Sequence, residues 1–354
     1  MTTTVAEAFI RITQEADSEW IQRKRKVDTK MLIMNVAQGK VNRIGLRQLS
    51  FTNDAVCSAA ALVQAKHRIP TNTLSRVLGK LNNRLSAAKG RRILAIDSTK
   101  ISLPLRFKAQ GVAPRNDAAK KPLIMCSTLH DVRLDIPLDV VVADHHNERR
   151  ALILEHRPRL RSGDLIVGDR GYFSREVCRE LMSINVDVLF RVKENACRPI
   201  LDFVASRRKE RIIELEGGLR VTCFKYTLSG QRYILVTTDP NMTLSRARTT
   251  YKARWRIEEG FRRWKSDFNL CRNVAHSLHN FKVDVLIVAI AHALVRSQLA
   301  VTVMRRTNET DTPEMQEVCI RALRACALAL FAVSYSSPWH QAGILIHTRR
   351  ACLY

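Results

Sequence analysis

The chain has 354 residues, 46% of them hydrophobic, with 59 Lys and Arg against 33 Asp and Glu for a formal net charge of +26. That length and apolar content exclude a disordered or fibrous chain and allow two or three substructures, each with its own core. The basic excess is spread along the whole chain rather than confined to a tail. It therefore belongs to folded surface and points to a polyanionic partner, nucleic acid ahead of an anionic membrane.

The first 90 residues read as helical. Leu74, Val77, Leu78, Leu81 and Leu85 fall on one apolar face, Thr71, Asn72 and Thr73 offer a cap upstream, and Gly90 ends the pattern. The run RKRK at 23–26 is either a solvated charge cluster or a phosphate contact. The N-terminal residues carry acids where a signal peptide needs an apolar stretch. The nine cysteines occur singly, with no C-x-x-C pair, which predicts buried thiols in a reducing cytoplasm rather than a disulfide framework.

From Arg92 the period shortens. ILAIDST, PLIMCSTLH and IPLDVVVA read as strands, with QGVAPRNDAAKKP as a loop after the first. A helix over ERRALILEHRPRL follows, capped by Asn147. LIVGD is a buried strand, SREVCRELM a helix and VDVLFRVK another strand. Three strands and then helix–strand–helix–strand predict an α/β fold with a mixed sheet flanked by helices. Residues 196–240 read as a β-rich insertion of three strands, with turns at Gly217-Gly218 and Ser229-Gly230. A long helix carries YKARWRIEEGFRRWK, and helices continue to the end. The apolar run VLIVAIAHALV within them is too short to span a bilayer and reads as a buried helix. DHHNERR at 144–150 has the residue types of a metal site, but a loop with Asn147 as helix cap is the favoured reading.

Three acids stand apart. Asp97 ends ILAIDST and Asp169 ends LIVGD, both just after buried strands; ligands of open α/β sheets bind outside such strand ends. Each also suits a plain turn former. On the long helix Tyr251, Arg254, Glu258 and Lys265 are spaced 3, 4 and 7 apart, which at about 100° per residue places them in a wedge of roughly 60°. Beside it runs an apolar stripe of Ile257, Phe261, Trp264 and Phe268. Taken alone, Arg254 and Glu258 make an ordinary i,i+4 surface pair. Taken together, the three carboxylates can converge on a hard cation, Mg²⁺ or Mn²⁺, and two such ions can activate the attacking oxygen and stabilise the leaving oxygen of a phosphodiester. Glu259 points about 100° away from the wedge and reads as solvated. Trp255 reads as packed rather than as a base-stacking platform.

These residues resemble the DDE transposases of bacterial insertion sequences, in particular the insertion-sequence-4 type marked by a Tyr-x2-Arg-x3-Glu-x6-Lys helix. Tyr251, Arg254, Glu258 and Lys265 fit that spacing at every position, and Asp169, Gly171 and Tyr172 fit the group's Asp-x-Gly-Tyr/Phe element. The likeness runs from about Arg91 to Ala300. It implies a ribonuclease-H-like catalytic core in two parts (91–195 and 241–300), interrupted by the 196–240 insertion, with a helical DNA-binding region at 1–90 and a helical region at 301–354. It further implies that Asp97, Asp169 and Glu258 are the metal-binding catalytic triad, and that Tyr251, Arg254 and Lys265 contact transposon-end DNA. Hydrolysis then releases a 3′ hydroxyl that attacks target DNA, with a homodimer acting on paired double-stranded ends in a bacterial cytoplasm, at the nucleoid. The alternatives are a metal-dependent nuclease of the same fold that cuts without joining, and a catalytically silent DNA-binding relic.

Overall fold

The computed structural model describes residues 5–23, 27–43, 57–85, 90–116, 118–272 and 275–306. Most of the RKRK run and the region beyond Arg306 lie outside these. The chain forms two compact units, one of residues up to 87 together with those from 262 on, the other of residues 88–261.

The first unit is helical: α1 (Val5–Trp20), α2 (Thr29–Asn42), α3 (Ala59–Arg68), α4 (Thr71–Leu85) and α10 (Leu278–Arg306). Leu74, Val77, Leu78 and Leu81 of the anticipated face are buried and Leu85 is half-buried, but Thr71–Thr73 form the first turn of α4 instead of capping it from outside. In α10 the stretch Leu278–Ser297 is long and apolar enough by composition to cross a membrane, a longer run than the sequence reading recognised; 78% of it is buried within the protein. Its His292 is inside, accepting a hydrogen bond from Trp264 Nε1 at 3.0 Å. Asp284, fully buried on α10, takes both Lys40 of α2 and Lys66 of α3. Burial pulls Lys66 below its ordinary value and the Asp284 charge opposes this. Removing one member of such a buried ionic cluster leaves an unpaired buried charge, which is strongly destabilising.

The second unit is built on one eight-stranded mixed sheet of order β3-β2-β1-β4-β5-β8-β7-β6. Its strands are β1 (Ile93–Ser102), β2 (Leu123–Asp131), β3 (Ile136–Asp144), β4 (Leu165–Gly168), β5 (Asp187–Arg191), β6 (Glu210–Leu215), β7 (Leu219–Leu228) and β8 (Gln231–Thr237). β1, β4 and β5 run parallel to one another and the other pairings are antiparallel. The three strands of the 196–240 segment continue this same sheet, because β8 pairs with β5. Ser229 and Gly230 both take positive φ, the two-residue turn that suits the twist of a hairpin.

β4 and β5 are covered on both faces, which is why they read as unbroken apolar runs. Ile166, Val188 and Phe190 pack on the face that holds α6 (Arg175–Met182) and α7 (Arg198–Ala205). Leu165, Val167 and Leu189 pack on the opposite face, against Ala247 and Tyr251 of α8 (Leu244–Ala253). Between β3 and β4 lies α5 (Arg149–Glu155). Its N-cap is Glu148, not the expected Asn147, whose amide instead closes a turn on the Asp144 carbonyl.

Candidate active site

Asp97 is not at the end of its strand: β1 continues five residues beyond it to Ser102. What ends is the parallel pairing. Ile96 is the last β1 residue opposite β4, facing Gly168, so Asp97 and Asp169 are each the next residue along two neighbouring strands. Side chains alternate across a strand. The Asp97 carboxylate therefore points to the face of Ala95 and its partner Val167, where α8 packs, and Asp169 is the first residue past the end of β4.

The wedge helix arrives on that face, but as two helices rather than one. α8 ends at Ala253 and α9 (Trp255–Ser266) begins after Arg254, around which the amides of Arg254 and Ile257 bond three residues back instead of four. Ile257, Phe261, Trp264 and Phe268 are all buried, as the apolar stripe requires. Trp255, expected to pack, is 62% exposed. Glu259, expected to be solvated, is half-buried and has a partner.

Arg254 is the hub. Its guanidinium donates to Asp97 Oδ2 at 3.0 Å and to Glu258 Oε1 at 2.7 Å, joining the strand acid to the helix acid. A second arginine, Arg149 at the start of α5, donates to Asp169 Oδ2 at 2.8 Å and lies 4.0 Å from Asp97 Oδ1. Two guanidinium groups thus tie all three acids into one cluster. Burial pushes the Asp97 carboxyl above its ordinary value, Asp169 adds to the rise, and Arg254, the Ser98 amide and Arg149 oppose it. For Arg254, burial pulls down, but Tyr251, Asp97 and Glu258 outweigh it and hold the guanidinium charged.

The Asp-x-Gly-Tyr element has a local explanation. Asp169 Oδ1 accepts from the Gly171 amide at 2.8 Å, and Tyr172 is buried with its hydroxyl 2.7 Å from Ser98 Oγ, so the turn after β4 is tied to β1. A Cβ at Gly171 would meet Arg149 Cδ at 3.0 Å, and one at Gly168 would meet Phe190 at 3.0 Å and Ile96 at 3.1 Å. One glycine lets the arginine close; the other lets β4 lie between its neighbours.

Tyr251 is buried beside Arg254, with burial raising its hydroxyl above the ordinary value. It also begins an aromatic row the sequence reading missed. Tyr251 meets Tyr233 edge-on at 6.2 Å, and Tyr233 stacks on its cross-strand neighbour Tyr226 at 5.2 Å. Arg191 lies over Tyr233 at 4.2 Å and Arg248 over Tyr226 at 5.1 Å. Lys265 is two turns farther along α9 than Glu258, half-buried, and falls in the helical unit.

The donor set, three carboxylates with Glu258 40% exposed, fits a hard divalent cation. Among the described residues the three do not close to within 4.8 Å of one another, because the guanidinium groups lie between them. The DHHNERR segment is different: Asp144, His145 and His146 each bring a ligand atom within that distance.

Residues 88–294 match the transposase DDE domain family, and members of that family use divalent metal ions. No curated protein sequence matches this chain. Among solved structures, a piggyBac transposase determined by cryo-EM in a synaptic complex with hairpin DNA is similar, with a TM-score of 0.51 and 11% identity over 96% of this chain and 82% of that one. At that identity the likeness is one of fold, and with the mixed helix-flanked sheet it gives the ribonuclease-H-like α/β class. The family match spans more than half of the sequence and includes all three clustered acids: the chain belongs to the transposase DDE domain family and is a DDE transposase.

Proposed function

We propose that this chain is the transposase of a bacterial insertion sequence of the insertion-sequence-4 type, acting as a homodimer on paired transposon ends in the cytoplasm, at the nucleoid. The observation that carries the reading is the Arg254 bridge. The arginine of the Tyr-x2-Arg-x3-Glu-x6-Lys spacing holds the strand acid Asp97 and the helix acid Glu258 in one grip. That is the convergence the motif needs if its acids serve one centre.

In this reading Asp97, Asp169 and Glu258 hold Mg²⁺ or Mn²⁺, two ions in all. The ions supply activation of the attacking oxygen and stabilisation of the leaving one. The chain's own residues do the positioning. Arg254 and Arg149 keep the acids converged, and with Tyr251 and Lys265 they present cationic and hydrogen-bonding groups to the DNA backbone beside the scissile phosphate. Water attacks phosphorus and the 3′ oxygen leaves with a proton. The freed hydroxyl then attacks a target phosphodiester, exchanging one P–O bond for another with no covalent enzyme intermediate.

The test is a cleavage and strand-transfer assay on DNA from both flanks of the gene, in Mg²⁺, Mn²⁺ or EDTA. Metal-dependent nicking with joined products is expected. Asp97→Asn, Asp169→Asn and Glu258→Gln should each abolish it while DNA binding persists. Cutting without joining would assign a nuclease, and binding without cutting in any metal a relic.

A further inference from the structure

We propose that Asp144, His145 and His146, in the turn between β3 and α5, form a second cation site, separate from the carboxylate cluster and suited to a divalent first-row transition ion such as Zn²⁺. Among the described residues this is the one trio of Asp, Glu, His or Cys whose ligand atoms lie within 4.8 Å of one another. Proximity alone would carry little, since an Asp beside two histidines in a turn is an ordinary surface feature. The weight rests on His145.

Its side chain is only 3% exposed. Nδ1 lies 3.0 Å from the Leu123 carbonyl oxygen and 3.2 Å from Asp144 Oδ1. The Leu123 carbonyl can only accept, so Nδ1 carries the proton. That tautomer leaves Nε2 as the ring's lone pair, and Nε2 is buried without a hydrogen-bond partner. A histidine whose Nδ1–H is fixed by a backbone carbonyl, with Nε2 left unpaired, has the tautomer of a metal ligand. The neighbours agree. The His146 ring lies 3.8 Å from the His145 ring, and the His146 amide donates to Asp144 Oδ1 at 3.0 Å, which folds the carboxylate back over the turn.

Two imidazoles and a carboxylate select zinc, nickel or cobalt over Mg²⁺, which prefers all-oxygen sets. Asp144 and His146 are exposed while His145 is buried, so the carboxylate and one imidazole of the set face solvent. His146 is three residues before Arg149, the residue that grips Asp169. An ion here therefore pins the turn that delivers that arginine.

The inference does not depend on the transposition reading, because its test reads metal binding alone. The purified full chain is titrated with Zn²⁺ against a chromophoric chelator in excess Mg²⁺, and then with Co²⁺ to record its visible absorption. One tight equivalent is expected, retained in Glu258→Gln and weakened at least about tenfold in His146→Ala and Asp144→Asn, which alter exposed positions and spare the core. Failure of the wild type to bind, or affinity unchanged in both turn variants, or loss in Glu258→Gln with the turn intact, would each overturn the assignment.

Discussion

Replacing Arg254 by glutamine removes the guanidinium that two carboxylates share. The arginine side chain is 9% exposed, Asp97 14% and Glu258 40%. Breaking a buried ion pair by removing one partner costs about 3–5 kcal/mol. The exposed Glu258 can rehydrate, so the loss comes mainly from Asp97, and about 3 kcal/mol is the expected destabilisation in metal-free buffer. For a unit the size of residues 88–261 that lowers the unfolding midpoint by roughly 6–12 °C. Arg254→Lys should recover only part of it, because one ammonium cannot span both acids as a planar fork does.

The informative measurement is the same melt with Mn²⁺ added. In the wild-type chain a cation must compete with the guanidinium for Asp97; in Arg254→Gln it meets an uncompensated carboxylate. The variant should therefore gain more stability from the ion, and a tenfold tighter site adds about 1.4 kcal/mol at saturation. A variant that melts with the wild type in EDTA would refute the reasoning, as would equal stabilisation of the two by Mn²⁺.

Asp97 takes up a proton above the ordinary carboxylate range. Its protonated form is favoured by the fold, so the associated stability is fully present below about pH 3.9 and lost as pH rises through the raised value. Cation binding needs the ionised form, so calorimetric Mn²⁺ affinity should begin to fall on acidification before ordinary carboxylates titrate, and Asp97→Asn should remove that dependence. Gly168→Ala would press a methyl against Phe190 and Ile96 at 3.0–3.1 Å; a destabilisation of about 1–3 kcal/mol in urea unfolding is expected, and a neutral result would mean β4 can shift. Lys265→Ala should weaken DNA binding and reduce the slope of log K against log salt by about 1, checked by anisotropy across a salt series.

Much of the site was legible because it rests on local periodicities. Alternation along β1 puts Asp97 on the face of Ala95, Asp169 follows the last residue of β4, and the 3, 4 and 7 spacing from Tyr251 to Lys265 marks a helical segment, although the chain breaks into α8 and α9 at Arg254. What escaped depends on docking. Nothing near Arg149 in the chain signals a role with Asp169, twenty residues on; the contact exists because α5 settles beside the turn after β4, where Gly171 has no side chain to obstruct it. The Tyr226–Tyr233–Tyr251 row needs β8 to pair with β5, a non-local event, so residues 196–240 look like an insertion in sequence while their strands extend the same sheet. Trp255 is exposed rather than packed because it follows the tightened turn at Arg254 and leaves the Ile257–Phe261 side for solvent.

The same contacts explain how acids can sit among so many bases without defeating a grip on phosphate. As the cluster stands, three carboxylates and two guanidinium groups leave one net negative charge, so it offers little to a DNA backbone. Each arginine is occupied by a carboxylate. If the two divalent cations of the proposed reaction were held here by Asp97, Asp169 and Glu258, the same five side chains and the ions would total three positive charges. Arg149 and Arg254 would then be free to donate to the phosphodiester of the proposed reaction. In that reaction, binding of the ions and binding of the scissile phosphate would be coupled through these two side chains. The acids would then repel DNA only until the ions are held, with the arginines holding the geometry in the interval.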